Sequence, residues 1–441
     1  MTSTALPEQH PWPLWRKIIF RFFFIFLFFI LAPWTWLDRI PYVNVVTTFF
    51  TDYYNKAMDW AVGFANAQVF HVRKVLVPIN GSGDTSYAWA QLWMLLSLSA
   101  IGCVIWTIID RKRNDYRKLN YWLCLVTRYY IALVAFAYGI LKLFAAQMSF
   151  PSESMMATPL GDLLPMRLSW MFIGYSTPYQ FFSGVMETMV GLLLLYRRTA
   201  TLGIMIGTAV FLNVMVLNLS YDIPVKLYSM QLVLLCLFLL ANEYKRIACF
   251  LVLNRPAELC YLYHYNYPKR WMRITRVILK IAFIVCFVGY GFFEMLDYSH
   301  EFYGAKEIKP IKPGIYDVPV YVVNKDTIPG LLSDTLRWQD IVFDKGGRGS
   351  IKTNDTAYRR IYRRAYFNYS TDTVKQLLNF TKVPGDTVNF ILSLHYQVPD
   401  SNTIRLWGMR NNDSLFIELK RSSRHFQLGE RQFHWLSEYN R

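Results

Sequence analysis

Two ionisable side chains stand where an apolar sequence would ordinarily carry none. Glu187 lies in the middle of "QFFSGVMETMVGLLLLYRRT" (Gln180–Thr199), and Lys142 sits near the end of "RYYIALVAFAYGILKLF". A charge inside a membrane helix is expensive, usually faces protein, and marks a functional site by default. The spacing supports that direction. Ser183 and Glu187 are four apart, with Gly184, Thr188 and Gly191 beside them, and Ala132, Ala135, Gly139 and Lys142 recur in the same manner. Small residues at helical spacing let two helices approach closely, so both charges are expected to turn inward and to meet. Such a pair could lock two helices together. It could equally polarise or protonate the head group of a lipid-soluble molecule, and the residues alone leave both readings open. Lys142 and Glu187 are thus the candidate catalytic pair, with Tyr138 one turn below Lys142.

Other polar groups gather in "NVMVLNLSYDIPVKLYSMQ". Asn213 lies inside one apolar stretch, Asn218 near its end, Asp222 and Lys226 flank Pro224, and Gln231 opens the next stretch. Tyr138, Asn213, Asp222 and Lys226 are the candidate ligand-binding residues, against the plainer reading that Asp222 and Lys226 pair with each other. In "GFFEMLDYSHEFYG", Glu294, Asp297 and Glu301 share a helical face beside His300. Carboxylates and a histidine can hold a divalent cation, but no two histidines share that face, so no metal site is assigned. Nucleophile, phosphate-loop and dinucleotide-binding motifs do not occur. The six cysteines form no Cys-x-x-Cys pair, which argues against a thioredoxin-like redox motif and for small thiols packed as apolar groups.

The elements that must position these residues follow from hydropathy. Of the 441 residues, 54% are hydrophobic and only 17% charged, against roughly a quarter in ordinary soluble domains. A spanning helix needs about 20 mostly apolar residues. Seven segments are candidates: Ile18–Leu37, Ala88–Ile109, Tyr121–Phe144, Pro178–Tyr196, Thr201–Leu219, Leu227–Leu240 and Val277–Met295. No small-x-small cleavage site follows the first, so it is expected to be a retained helix rather than a signal peptide. Seven spans put the basic loops on one side: Arg16 and Lys17, "DRKRNDYRK", Arg197 with Arg198, and Glu243–Arg276. Excess Lys and Arg mark cytoplasmic loops. The N-terminus is then cytoplasmic and the C-terminal part outside, and the net charge of +17 requires no nucleic acid.

Between the first two spans, "FFTDYYNKAMDWAVGFANAQVF" has the spacing of an amphipathic helix. "INGSGDTSY" follows it as a turn that is either mobile or able to offer backbone N–H groups to an anion. Ala145–Thr177, broken by prolines, reads as an outer segment over the bundle, and "IACFLVLNRPAELCYLY" as interfacial. From Asp297 the chain turns polar and strand-like. "GIYDVPVYVVN", "RWQDIVFD", "DTVNFILSLHYQ", "TIRLWGM" and "DSLFIELKR" alternate with turn sequences, predicting an antiparallel sandwich or barrel. "RRIYRR" (Arg359–Arg364) reads as a solvated basic strand face or a surface for anionic headgroups or a partner.

The stretches "RYYIALVAFAYGILKLF", "FFSGVMETMVGLLLLYRRTATLG" and "NVMVLNLSYDIPVKLYSMQLVLL" resemble the DoxX-like family of membrane proteins, over Arg128 to Glu243. The matching motifs are aromatic-glycine-x-x-Lys, Gly-x-x-Glu, Arg-Arg-Thr-x-x-x-Gly and Asp-x-Pro. The whole arrangement resembles the long form of that family found in Bacteroidota. The resemblance implies a four-helix membrane core with Lys142, Glu187 and Asp222 as its polar positions. It also implies a link to quinone-dependent membrane oxidoreduction; the cofactor stays open, with a quinone as the candidate. The expected organisation is a segment of two spans (1–119), a DoxX-like core (120–243), an interfacial stretch with the last span (244–296), and an extracytoplasmic β domain (297–441). The functional expectation is an inner-membrane protein in contact with the lipid bilayer. It is either a subunit of a quinone-linked oxidoreductase system, or a non-enzymatic envelope scaffold docking a protein partner through the β domain, or a transporter, although no duplicated half is visible.

Overall fold

The structure, a computed structural model, describes residues 11–40, 42–256, 265, 267–303, 308–331, 334–356, 358, 360–383, 392–431 and 433–436. The chain divides into two compact units: residues 1–147 with 179–295, and residues 148–178 with 296–441. The first is helical, with α1 (Leu14–Leu31), α2 (Asn44–Ala65), α3 (Ser86–Ile109) and α4 (Arg117–Leu143). After α5 (Glu153–Met156) and α6 (Pro165–Tyr175), which belong to the second unit, come α7 (Thr177–Leu195), α8 (Ala200–Ser220), α9 (Lys226–Leu251), α10 (Arg270–Phe283) and α11 (Tyr290–Tyr303). Residues 284–289 form a π-helical turn that carries α10 into α11.

Helix α4 is the centre of this unit. Ile131 to Phe136 are all buried, on every side of the helix, as expected of a helix that packs against neighbours all round. It lies against α1, α9 and the π-helical turn. Its core partners include Phe26, Leu27, Val190, Leu194, Leu235 and Leu239.

Among the described residues, five segments are long and apolar enough to cross a membrane: Leu14–Asp38, Ser86–Ile109, Arg117–Leu143, Ala200–Ser220 and Arg270–His300. Seven spans are expected from the sequence. The other two, α7 and α9, are helices of 19 and 26 residues in the same unit. Polar groups interrupt both, Gln180 and Glu187 in α7 and Gln231, Glu243 and Lys245 in α9. The short sixth segment, Leu227–Leu240, is therefore an underestimate. Helix α9 continues through Asn242–Arg246 to Leu251, so the first residues of the stretch expected to be interfacial prolong it. The amphipathic helix between the first two spans is present as α2.

The second unit is built on an antiparallel barrel. Its strands are β1 (Gly314–Val323), β2 (Asp326–Thr327), β3 (Trp338–Asp344), β4 (Arg348–Thr353), β5 (Arg360–Ile361), β6 (Arg364–Asp372), β7 (Leu377–Thr381), β8 (Leu392–Asp400), β9 (Thr403–Arg410) and β10 (Asp413–Arg421); a short helix α12 (Gln427–Glu430) follows. Eight of them run β1-β3-β4-β6-β7-β8-β9-β10, and β10 pairs back onto β1, with every neighbour antiparallel. Closure removes the exposed sheet edges. An eight-stranded interior is narrow enough for side chains to fill, and here Tyr321, Trp338, Phe343, Phe367 and Phe380 do so. Of the two architectures expected from the sequence, the barrel is the one formed.

The segment expected as an outer loop packs on this barrel, within the second unit. The Asp344 carboxylate accepts hydrogen bonds from the Ser154 N–H at 3.1 Å and the Ser152 hydroxyl at 3.2 Å. Ser350 Oγ meets Ser154 Oγ at 2.8 Å, and Ala157 packs with Ile315 and Val342. Burial pushes the Asp344 carboxyl above the usual carboxylate range, against the pull of the serine hydrogen bonds.

Candidate functional site

Lys142 and Glu187 are joined in a buried ion pair between α4 and α7, with the lysine 7% exposed and the acid 1%. The buried line of α7 is Gln180, Gly184, Glu187, Gly191 and Leu194, spaced four and three apart. Glu187 therefore stands within the small-residue stripe rather than beside it. The glycines bring the two helices together. A Cβ placed on Gly139 would lie 2.9 Å from the Thr188 nitrogen, and one on Gly184 would lie 2.7 Å from the Leu143 nitrogen. Only glycine fits at such backbone contacts. Lys142 occupies the last turn of α4, where the exposed carbonyl ends favour a cation.

Tyr138 completes this group. The Lys142 ammonium lies 5.9 Å from its ring centre, and the ring lies 6.4 Å from that of Tyr228. The second carboxylate oxygen of Glu187 and the Thr188 hydroxyl are buried and meet no hydrogen-bond partner among the described residues. The acid thus keeps one acceptor site in hand. Two concavities lie elsewhere. One, of about 560 Å³, is apolar and lined by Phe28, Phe29, Trp34, Phe50 and Tyr54; the other, of about 570 Å³, is polar and lined by Asn354, Thr356, Tyr358, Arg360 and Arg363.

Asp222 and Lys226 form a second group. Their side chains pair at 2.6 Å, as the plainer reading of the sequence has it. The sequence gives no hint of the third member, Asp84. Its carboxylate accepts the backbone N–H groups of Lys226 and Leu227 at 2.8 and 2.9 Å and lies 3.6 Å from the Lys226 ammonium. The Gly-Ser-Gly turn is thus tied to the start of α9: the Gly83 N–H donates to the Pro224 carbonyl at 2.8 Å. An anion at a helix N-terminus satisfies open N–H groups and favours the helix dipole. Replacing Asp84 by Ala is expected to lower stability by about 1–2 kcal/mol, with Asp84→Asn retaining most of it. Thermal melting in detergent reads this, and an Asn variant as weak as the Ala variant would show that capping is not the cause.

Asn213 belongs to neither group. It lies on an exposed face of α8, because the apolar run around it has no polar periodicity to fix which side turns inward. Glu294, Asp297 and His300 are exposed along α11. Among the described residues no three His, Cys, Asp or Glu side chains cluster as metal ligands. Cys103, Cys124, Cys236, Cys249 and Cys286 are free thiols, and Cys260 lies outside the described residues.

Arg21, in α1, is 1% exposed. Its guanidinium donates to the Tyr116 hydroxyl at 2.8 and 3.0 Å, to Thr107 at 2.9 Å and to the Asp110 carbonyl at 2.9 Å. Tyr116 in turn donates to Asp110 at 2.8 Å. This network ties α1 to the end of α3 and the start of α4. A buried charge of this kind is held only when its hydrogen-bond capacity is met.

The arrangement is that of a membrane protein: a bundle of apolar helices containing a buried ion pair, followed along the chain by an eight-stranded barrel unit. Over 113 residues, 26% of this chain and 71% of the relative, the sequence is 33% identical to the uncharacterized protein YwoB of Bacillus subtilis (strain 168), and the chain belongs to that protein's family. No family model matches the chain. No solved structure matches it.

Proposed function

We propose that this chain is a non-enzymatic envelope protein of the bacterial inner membrane. Its DoxX-like bundle is locked by the Lys142–Glu187 pair and holds an extracytoplasmic barrel that docks a protein partner. One observation carries the reading. Around the ion pair the backbones of α4 and α7 are in contact at Gly139 and Gly184, which leaves no room between those two helices for a ligand head group. A pair sealed in this way acts on helix packing.

A second reading has its own support. The unpartnered Glu187 oxygen could hold a proton, and the aromatic cleft beside α1 and α2 has the size and apolar lining of a small-ligand site. Together these favour a subunit of a quinone-linked oxidoreductase. The test is to purify the full chain in mild detergent, record its absorbance spectrum, and extract lipid-soluble molecules for mass spectrometry. The scaffold reading expects no stoichiometric quinone and no redox-active band. A quinone recovered near one per chain, and lost in Glu187→Gln, overturns it in favour of the oxidoreductase.

A further inference from the structure

Helix α10 carries Arg270, Arg273, Arg276 and Lys280 at spacings of three and four, and no acid. It opens a continuous apolar segment, Arg270–His300, of 31 residues. At about 1.5 Å per residue this is roughly 46 Å long, well beyond a hydrocarbon core of about 30 Å. The basic turns of α10 must therefore lie at headgroup level. There they are not simply solvated. The Arg276 guanidinium lies 5.2 Å from the ring centre of Tyr267, and the Lys280 ammonium lies 5.5 Å from that of Tyr196. Tyr129 meets Phe283 of α10 edge to face at 5.1 Å.

Beside Tyr129 stands Arg128 of α4, its guanidinium 5.6 Å from that ring. Among the described residues, the groups that face Arg128 are Tyr129, with which its side chain is hydrogen-bonded, Tyr121 and Arg197. Tyr121 in turn faces Tyr267, which closes the ring of contacts back to Arg276. The Arg128 Nε is buried and meets no protein acceptor among the described residues. Cations from α4, the α7–α8 turn and α10 thus converge within a frame of tyrosines. Val277, Leu279 and Ile284, exposed and flanking Arg276 and Lys280 around the helix, supply apolar surface next to them.

We propose that this cluster is a binding site for one anionic phospholipid of the surrounding leaflet. Its phosphate bonds Arg128 and Arg276, and its acyl chains lie along the exposed Val277, Leu279 and Ile284. A clustered set of Lys and Arg at a membrane surface recognises anionic headgroups, and a guanidinium whose buried Nε meets no acceptor calls for one. A water-soluble anion would gain nothing from the apolar surface, which is why the lipid is the occupant.

The test is native mass spectrometry of the full chain in detergent micelles doped with either phosphatidylglycerol or phosphatidylcholine. Wild type is expected to retain one phosphatidylglycerol at roughly tenfold or greater preference, and Arg128→Gln/Arg276→Gln to lose that preference. Should the double variant fail to fold, Arg276→Gln/Lys280→Gln makes the same measurement with Arg128 left in place. Equal retention of the two lipids by wild type overturns the proposal. So does a folded variant that keeps the wild-type preference, or loss of the bound lipid to inorganic phosphate at equal concentration.

Discussion

Replacing Lys142 by Met is expected to cost about 3–5 kcal/mol of stability in detergent, and replacing Glu187 by Gln somewhat less. Replacing both together by Met should recover most of the loss. The reasoning starts from desolvation. A buried ion pair gains little net energy over a well-packed apolar pair, but removing one partner strands the other charge in a dry interior. The two stranded states differ. In Lys142→Met the carboxylate remains in mid-helix, with Gly184 and Gly191 pressed against α4 on either side. In Glu187→Gln the lysine remains one residue from the end of α4, and its long stem can carry the ammonium toward the helix end. Hence the ordering. Melting followed by size exclusion, for the two single variants and the double, gives the coupling energy directly. If the double variant is as unstable as the sum of the singles, the residues do not act as a lock. If both singles melt with wild type, the pair is free for proton chemistry.

The pairing of Lys142 with Glu187 was legible because each lies on a stripe of small residues, and small stripes at helical spacing mean contact. Asn213 has no such stripe, so its side was not fixed by the sequence, and it faces outward. Asp84 was illegible for a different reason. Its partner N–H groups lie 142 and 143 positions away, and a cap supplied by a distant loop leaves no local pattern. In the barrel, β1, β3, β9 and β10 announce themselves by alternating apolar residues. Strands β4 and β6 do not. Ser350 and Arg364 face outward from the barrel core but are covered by the chain around Ser154, so polar residues occupy positions that burial would otherwise make apolar. The basic run Arg359–Arg364 is split in the same way. Arg363 pairs with Asp162 at 3.0 Å at the surface, Arg364 is 1% exposed, and Arg359 lies outside the described residues.

That covered face explains why residues 148–178 follow the barrel although the chain enters them from α4. Their contacts to it are polar and specific: Ser152 and Ser154 to Asp344, Ser154 to Ser350, and Arg167 stacked 5.3 Å from the Tyr362 ring centre. These satisfied hydrogen bonds, each worth about 1 kcal/mol net and more when left unmade, add to the packing of Ala157 on Ile315 and Val342. The barrel wall and its cover therefore depend on each other. The buried polar groups of β3, β4 and β6 are tolerable only while the segment is in place.

Arg364→Leu is accordingly expected to destabilise the barrel unit by about 3–5 kcal/mol. The Arg364 guanidinium donates to Asp340 at 2.5 Å, to the Ser350 hydroxyl at 2.7 Å and to the Ser350 carbonyl at 3.3 Å. Removing it leaves Asp340, itself buried, with the half-exposed Arg424 at 3.6 Å as its ion-pair partner among the described residues. Asp340→Asn should cost less, because an amide oxygen still accepts from Arg364. Hydrogen exchange on the full chain, read on peptides covering β3, β4 and β6, is the measurement. At 1.4 kcal/mol per factor of ten, a loss of about 3 kcal/mol speeds exchange of the slowest amides roughly a hundredfold. The same experiment reads the cover, since peptides from 152–158 should lose protection in step with β3 and β4. Fast exchange confined to β6, with 152–158 unchanged, would show that the segment docks independently of the Arg364 network.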